Sequence, residues 1–273
     1  MRVTERAIVL CADDYALHPL IDQAVIQLAG KGRLSATSCM TTSPRWATAA
    51  HDLKPLRPHL AVGLHFNLTE SHGGVYQALG LKQAIVQTYT RRWRVAQWQA
   101  VLRQQLDAFE AAMGTAPDFI DGHQHVHQLP GVRQALLAEL STRYGAHERP
   151  WVRSTVPAGQ LWRASKALII ALLGGFAATR LWQQAGLRTN CGFAGVYGFD
   201  APTPQDYGAH MQAWLAQVQP GSLLMCHPAA GVMPNDAIAA QRPVECAYLL
   251  SDAFVQALQA RGLRVHQGAQ LPT

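Results

Sequence analysis

Ionisable side chains follow several of the apolar, strand-like runs in the sequence. They are Asp13 and Asp14 after AIVLCA, His65 after LAVGL, Asp121 and His123 after DFI, Arg153 after PWV, and His227 after SLLMC. In α/β barrels the carboxyl ends of the strands converge on one face, where active sites lie. Since five separate strands each deliver an ionisable residue, we expect these side chains to form one site.

The stretch DGHQHVHQLP carries three histidines at alternate positions, His123, His125 and His127. Residues i, i+2 and i+4 of a strand share one face, so all three could point into the same pocket. A single metal ion rarely takes three ligands from so short a run. We therefore expect part of the run to support the site, with Asp121 fixing the tautomer of a ligand histidine.

An aspartate and two histidines from three different strands suit a catalytic metal ion. Catalytic zinc sites use three protein ligands and keep a position open for water, whose pKa falls to about 7. A second carboxylate can act as general base, and a histidine across the pocket can protonate the leaving group. Asp13 and Asp14 cannot share one role, because successive side chains of a strand diverge. The set predicts metal-assisted hydrolysis of an amide or ester.

Apolar runs alternate with amphipathic helical patterns along the chain. The expected strands lie at 7–12, 34–42, 60–66, 118–123, 150–155, 222–227 and 262–267, and the expected helices at 21–32, 46–54, 93–113, 131–145, 205–217 and 244–261. Such alternation predicts a largely parallel sheet with helices outside, and about seven or eight units fit an α/β barrel. Barrels of this length are commonly one domain, which we expect over 1–273.

Two segments are expected to border the site. Residues 70–91 form a long loop that could cover it as a lid, and residues 160–186 include the apolar run ALIIALLGGFAA. This run is too short to span a bilayer, which takes about 20 residues, so we expect a buried or partly buried helix flanking the site and no integral membrane span. The alternative is a lipid-facing helix that contacts a membrane surface. The residues that bracket the run like interfacial anchors are Trp162, Arg163, Lys166, Arg180 and Trp182.

The charge content constrains the partners of the chain. Charged residues make up only 15%, well below the roughly 25% that is usual, which favours extensive buried surface or a subunit contact such as a homodimer. The formal net charge of +6 favours anionic partners. The densest basic cluster, RRWR at 91–94, is explained by a solvated helix start, so we expect no nucleic-acid partner.

The cysteines and the N-terminus indicate the compartment. Cys11, Cys39 and Cys226 lie in strand-like runs, and five cysteines without CxxC spacing favour free, buried thiols in a reducing compartment. The N-terminal MRVTERAIVLCADD predicts a first strand rather than a signal peptide. We therefore expect a cytoplasmic protein.

Four motifs together resemble those of the YdjC-like (ChbG/HpnK) carbohydrate deacetylases. They are VLCADDYAL, VGLHFNLTE, FIDGHQHVHQLP and MCHPA, and the resemblance extends from about residue 7 to about residue 260. Any one motif alone would be weak, whereas the combination is specific. The resemblance implies a single-domain, NodB-like and TIM-like irregular (β/α) barrel that removes acetyl groups from N-acetylated sugars.

The matching positions imply a role for each motif residue. Asp14, His65 and His123 are implied as metal ligands, Asp13 as general base, His227 as general acid, and Arg153 as a residue that orients Asp13 or binds substrate. Asp121, His125, His127 and Asn67 are expected to support the ligands or to line the substrate pocket. The resemblance implies one magnesium ion, whereas two histidines beside a carboxylate favour zinc or another transition metal.

The chain departs from the family pattern in two places. Asp14-Tyr15-Ala16 replaces the usual Asp-Phe-Gly, and Asn190 with Cys191 stands where relatives tend to carry an acidic residue. The second difference concerns the sugar contacts more than the hydrolysis. The apolar run followed by RLWQQAGLRT resembles the hopanoid-deacetylase branch, so we expect an N-acetylglucosamine-type oligosaccharide or a glycolipid as substrate.

Two other functions fit parts of the pattern. A different metal-dependent amidohydrolase would use a His-x-His pair, but that pair normally ends the first strand, where this chain has Asp13 and Asp14. The other alternative is an inactive homologue that binds a sugar or a metal. The intact set of candidate ligands, base and acid argues against it.

Overall fold

Eight strands of the described residues, which are 6–72, 78–163 and 165–272, form one sheet in the computed structural model. They are β1 (Arg6–Tyr15), β2 (Ala36–Cys39), β3 (Ala61–Phe66), β4 (Phe119–Gly122), β5 (Trp151–Val152), β6 (Gly192–Ala194), β7 (Ser222–Cys226) and β8 (Leu263–Val265). All of their pairings are parallel. The order along the sheet is β5-β4-β3-β2-β1-β7-β6, and β8 pairs with the first part of β1.

Isolated bridges connect the two ends of this sheet. Val152 pairs in parallel with Thr189, and Pro157 pairs in parallel with Phe193 of β6. The sheet therefore curls back on itself as an irregular barrel rather than staying open. The predicted fold class, an α/β barrel of mostly parallel strands, is confirmed.

Helices connect successive strands and cover the outside of the sheet. They are α1 (Pro19–Gly30), α2 (Trp46–Leu53), α3 (Leu81–Tyr89), α4 (Val95–Met113), α5 (Val132–Arg143), α6 (Ser165–Ile170), α7 (Phe176–Gln184), α8 (Pro204–Leu215), α9 (Gln241–Leu250) and α10 (Asp252–Gln259). The predicted end of α4 is correct because Gly114, with φ 76°, adopts the left-handed cap that glycine favours.

Strand β1 divides its side chains between two apolar cores. Val9 and Cys11 belong to the core inside the barrel, whereas Ile8, Leu10 and Ala12 pack between the sheet and the helices. The inner core is completed by Ala36, Ala61, Phe119, Trp151, Phe193, Leu223 and Met225. Because both faces of the strand are buried, its sequence is a continuous apolar run rather than an alternation.

Gly63 makes room for the aromatic centre of the barrel. Phe119 stacks on Trp151 with the ring centroids 4.3 Å apart. A methyl group built on Gly63 would come within 2.5 Å of the Phe119 ring. The glycine that precedes Leu64 and His65 in the third strand is therefore required by packing.

Two predicted segments differ in the structure. The segment 70–91, expected as a loop, contains the helix α3, and its residues 73–77 lie outside the described part of the chain. The single helix expected over 244–261 is divided into α9 and α10, because Ser251 between them is extended, with φ −74° and ψ 160°. The segment beside the predicted site therefore includes a helix and is not irregular throughout.

The apolar run at 167–178 is helical but interrupted. Helix α6 passes into a π-turn, Ala171–Gly175, before α7 begins. Gly174 has φ 137°, and a methyl group there would come within 2.5 Å of the Gln128 carbonyl oxygen. The glycine therefore lets this segment lie directly against the turn at 123–128. Among the described residues, none of the helices has the length and apolar character needed to cross a membrane.

Replacing Gly63 with alanine is expected to lower the free energy of unfolding by about 1 to 3 kcal/mol, because the methyl group overpacks against Phe119. Gly30 is the matched control, since a Cβ at this last residue of α1 meets no atom within 4 Å. Gly30→Ala should leave the stability unchanged or raise it slightly. Urea unfolding measures the stability of both variants. An equal change in the free energy of unfolding for the two would contradict the packing explanation.

Candidate active site

One cavity of about 1020 Å³ lies at the carboxyl ends of the strands. Six of the ten predicted site residues line it, namely Asp13, Asp14, His65, His123, His125 and His227. The other four, Arg153, Asp121, His127 and Asn67, are buried and lie behind this wall. The convergence of parallel strand ends thus brings the predicted residues together, although they are up to 214 positions apart (227 − 13).

Asp14, His65 and His123 form a group that could hold one metal ion. Their donor atoms all lie within 4.8 Å of one another. Asp14 Oδ1 is 3.3 Å from His65 Nε2 and 3.0 Å from His123 Nδ1. A carboxylate with two imidazoles is a usual donor set for a catalytic divalent ion. The residues present therefore fit the implied metal.

The backbone at the end of β1 is strained where it presents Asp14. Asp14 has φ 69° and Ala16 has φ 72°, both in the left-handed region that costs non-glycine residues energy. Surrounding bonds hold the turn: Ala16 N–H donates to Asp22 Oδ1 at 2.7 Å, and Ser43 Oγ donates to the Ala16 carbonyl at 2.7 Å. Ala16 stands where the family pattern has glycine. Strain that the surroundings impose in this way is typical of functional sites.

Arg242 of α9 fixes the orientation of the Asp14 carboxylate. Its Nη2 donates to Asp14 Oδ2 at 2.8 Å, and its Nε donates to Asp236 Oδ2 at 2.7 Å. Asp14 Oδ1 is thereby left to face His65 and His123. Burial raises the pKa of Asp14, but Arg242 and the two histidines outweigh it, so this pKa lies well below its ordinary value. Arg242 gave no signal in the sequence, because it precedes the helix expected over 244–261 and does not follow a strand-like run.

His65 is oriented from behind by a carboxylate and a hydroxyl. Its Nδ1–H donates to Asp121 Oδ1 at 2.6 Å, and Ser38 Oγ lies 3.0 Å from the same nitrogen. Burial lowers the pKa of His65, but Asp121 and Asp14 more than offset it and raise this pKa to about 10. The bond to Asp121 turns Nε2 towards Asp14 and the cavity, which is how outer partners commonly aim a ligand histidine.

Asp13 is held by the buried guanidinium of Arg153. Arg153 donates to both carboxylate oxygens, at 2.7 Å and 2.6 Å, and also pairs with Asp121 Oδ2 at 2.5 Å. Burial raises the pKa of Asp13, but Arg153 outweighs it, so this pKa lies below its ordinary value. Arg153 fills the space between Cys11, Asp13 and Asp121, a second group of potential metal donors. Because Arg153 is fully buried, orienting Asp13 fits it and direct substrate binding does not.

His227 lines the same cavity and lies close to Asp13. Its Nε2 is 3.9 Å from Asp13 Oδ2, and its ring meets the edge of Phe199 at a centroid distance of 5.4 Å. Its backbone N–H donates to Glu245 Oε2 at 2.7 Å, while the Tyr197 hydroxyl donates to Glu245 Oε1 at 2.5 Å. Glu245 therefore anchors the turn after β7, a role that sequence reasoning missed.

His125 and His127 take different positions from His123. His127 Nε2–H donates to the Arg153 carbonyl at 3.0 Å, and its ring stacks on Trp182 behind the cavity. His125 lines the cavity with its ring edge against Phe193. Burial lowers the pKa of each to about 3, so both are neutral at ordinary pH. Neither belongs to the donor group around Asp14, and their supporting roles stay predictions.

Two asparagines bond to the backbone around the site. Asn67 Oδ1 accepts two backbone N–H groups of the following turn, at 2.9 Å and 2.8 Å, and so shapes the chain that carries Glu70. Glu70 lines the cavity with Oε2 3.8 Å from His123 Nε2, and sequence reasoning missed it. Asn190 bonds the backbone N–H and carbonyl of Ser154. Asn190, which stands where relatives tend to carry an acidic residue, therefore holds the backbone at Ser154 in place.

Fold and site together define a class of protein. A parallel barrel with a carboxylate and two histidines beside a second carboxylate is an arrangement that metal-dependent hydrolases use. The chain belongs to the YdjC-like family, since the family model described as YdjC-like protein matches residues 7–260. The resemblance inferred from the four motifs is confirmed.

Curated relatives and a solved structure agree with this membership. A carbohydrate deacetylase from Homo sapiens is 28% identical over 256 residues, which cover 83% of this chain and 76% of the relative. A chitooligosaccharide deacetylase from Klebsiella pneumoniae (strain 342) is 23% identical and covers 96% of this chain and 97% of the relative. A crystal structure from Enterococcus faecalis V583, provisionally described as a cellobiose-phosphate cleavage protein, superimposes with a TM-score of 0.72 at 17% identity, over 97% of this chain and 98% of the other. At that identity the likeness concerns the fold alone.

His123→Ala is expected to abolish the binding of a divalent ion, because it removes one of three donors around Asp14. His127→Gln should leave most of the binding, because the His127 ring lies behind the cavity and bonds to a backbone carbonyl. Titration calorimetry with zinc and with magnesium measures both variants against the unchanged protein. Equal losses from the two substitutions would place the ion elsewhere in the histidine run.

His127 should make the metal-free protein less stable in acid. Its pKa is lowered to about 3 in the folded state and is ordinary, roughly 6.5, in the unfolded state, so only the unfolded chain takes up the proton between these values. Stability is therefore full above the unfolded pKa and falls as the pH drops below it, by about 2 kcal/mol between pH 7.5 and pH 5. Urea unfolding should show this loss reduced in His127→Gln. Identical losses in both proteins would contradict the prediction.

Proposed function

We propose that this chain is a metal-dependent hydrolase that removes the acetyl group from the nitrogen of an N-acetylated sugar of the N-acetylglucosamine type. The observation that carries the proposal is the donor group of Asp14, His65 and His123 beside a second carboxylate, Asp13, with His227 lining the same cavity. The names of the curated relatives, a carbohydrate deacetylase and a chitooligosaccharide deacetylase, support the choice of substrate class.

One divalent ion is the proposed cofactor. Held by Asp14, His65 and His123, such an ion would supply a Lewis acid for the amide carbonyl and a lowered pKa for water. The two imidazole donors favour zinc or another transition metal. Magnesium is the ion that the family resemblance implies, and it prefers oxygen donors.

Asp13 is the proposed acceptor of the proton that leaves the attacking water. Its low pKa keeps it ionised, and Arg153 holds both of its oxygens, so the carboxylate has one fixed orientation. General bases that are positioned in this way act within hydrogen-bond reach of the water. Arg153 is a positioning residue in this scheme and does not touch the substrate.

His227 is the proposed acid. As the carbon–nitrogen bond of the amide breaks, the sugar nitrogen takes a proton from His227, and the products are acetate and a free amino sugar. The 3.9 Å between His227 Nε2 and Asp13 Oδ2 would let the proposed acid and base reach the same reacting group. Glu245 fixes the backbone that carries His227.

The assembly state and compartment are further parts of the proposal. The low content of charged residues supports a homodimer, and the buried free thiols support a reducing, cytoplasmic environment. Cys11, Cys39, Cys226 and Cys246 are buried and free, and Cys191 is exposed and free. Neither part enters the chemistry of the site.

An acetate-release assay tests the function directly. The chelated protein is offered N-acetylglucosamine, diacetylchitobiose and an N-acetylglucosaminyl lipid, with zinc or magnesium added back. We expect acetate from at least one substrate, only when an ion is restored. A protein that binds the ion but releases no acetate from any of them would favour the inactive, sugar-binding alternative.

Asp13→Asn should lower kcat by about 10² to 10⁴-fold, because the amide cannot accept a proton from water. Ion binding should be retained, since Asp13 is not in the donor group around Asp14. Asp14→Ala is the companion variant and should lose both ion and activity. Acetate release by Asp13→Asn at the original rate would exclude it as the base.

A further inference from the structure

Large apolar side chains that are exposed to solvent gather around the mouth of the cavity. Those in the described part of the chain are Leu81, Val86, Tyr89, Val95, Trp162, Ile169, Leu172, Phe176 and Val232. Every one except Val95 is, or lies within four residues of, a residue that lines the cavity. We name the other eight the apolar rim. Exposed apolar residues scattered singly are ordinary, whereas a group beside a binding pocket marks an interaction surface.

The segment from α6 to α7 carries the centre of the apolar rim. Ile169, Leu172 and Phe176 lie on either side of and within the π-turn, and they are 55%, 65% and 45% exposed. Ile170 and Leu173, one position further along, line the cavity. The same short segment thus presents apolar side chains both to solvent and to the site, so whatever covers the rim lies at the entrance to the cavity.

The remaining rim residues border the same entrance from other elements. Helix α3 contributes Val86 and Tyr89 to the rim and Ile85 to the cavity wall. Both α3 and the π-turn after α6 pack against the turn at 123–128. The loop after β7 adds Val232 beside Met233, which lines the cavity. Three separate elements therefore expose apolar groups around one opening.

The sequence segments that carry most of the rim contain no acidic residue. Neither 71–106 nor 149–199 includes an aspartate or glutamate, although the chain has 17 of them. The two segments contain eleven of its basic residues: Lys82, Arg91, Arg92, Arg94, Arg103, Arg149, Arg153, Arg163, Lys166, Arg180 and Arg188. Four of the eleven do not contribute to the rim: Arg153 is buried, Arg103 is paired with Glu139, and Arg149 and Arg188 precede β5 and β6 at the amino ends of the strands. The other seven lie close in sequence to rim residues and supply positive charge beside them. Apolar groups flanked by lysine and arginine suit the interface of an anionic lipid bilayer.

Charge also argues against a second copy of this chain as the partner that covers the apolar rim, although a homodimer could form through another surface. A two-fold contact would place the same basic surface on both sides of the interface, where like charges repel. An anionic lipid surface offers the opposite charge together with an apolar layer for the exposed side chains.

We propose that the apolar rim lies on an anionic lipid surface and that the cavity opens towards it. The identity of the reaction rests on the proposed function, whereas the contact with lipid does not. Ile169, Leu172 and Phe176 enter the acyl boundary, and the flanking arginines and lysines remain among the head groups.

Vesicle sedimentation tests this contact with the full, metal-loaded protein. The vesicles contain phosphatidylcholine alone or with about a third phosphatidylglycerol. We expect binding to the anionic vesicles that weakens as salt is raised. The variant Ile169→Ser/Leu172→Ser/Phe176→Ser should bind about tenfold less or weaker still, since it removes the apolar contact. Val95→Ser is the matched control, because Val95 is an exposed apolar residue outside the rim, and it should bind as the unchanged protein does.

Three outcomes would overturn the lipid contact. The unchanged protein could fail to sediment with anionic vesicles, or the triple variant could sediment as well as the original. The rim could instead be covered by a second copy, in which case sedimentation velocity would show a dimer that the triple variant converts to a monomer. Release of acetate from diacetylchitobiose is measured in parallel. The triple variant should retain this activity, so failure of the lipid contact is distinguishable from failure of the proposed deacetylation.

Discussion

The buried guanidinium of Arg153 is the interaction on which the rest of the site depends. It lies between Asp13 and Asp121, and all three side chains are shielded from water. Losing one partner of such a pair typically costs about 3 to 5 kcal/mol, because a charge is left buried and unpaired. Through Asp13 it fixes the proposed base, and through Asp121 it supports the bond that aims His65. Strands β1, β3, β4 and the chain after β5 are thereby tied together at one point.

The balance of charge explains why this site would attract a cation. The buried ionic groups at its floor are Asp13, Asp14, Asp121, Arg153 and Arg242. Carboxylates outnumber guanidiniums, and Arg242 also neutralises Asp236. The excess negative charge raises the pKa of His65 to about 10 despite its burial. A divalent ion that displaced this proton would satisfy the same charges, which is the usual coupling between metal binding and deprotonation.

Residues at strand ends were predictable from the sequence, because parallel strands bring their carboxyl ends to one face whatever the loops between them. Residues that reach the site from elsewhere were not. Arg242 extends from α9, Ser38 lies among small residues of β2, and Glu245 acts on a backbone N–H. The sequence around these residues does not indicate that they reach the site, because only tertiary packing brings them there. The helix in the segment 70–91 was also not predicted. It is only nine residues long, and Gly80 at its start has no side chain that could cap it.

The three histidines at 123, 125 and 127 do not follow the alternation of side chains that a strand would impose. Alternate residues share a face only while the chain is a strand, and β4 ends at Gly122. The next residues form a tight turn in which Gln124 and His125 have φ of 50° and 60°. Each imidazole consequently leaves the backbone in a different direction, so His123 meets Asp14, His125 lines the wall and His127 braces the backbone behind it. Three residues with equal spacing thus take three positions, because the backbone turns between them.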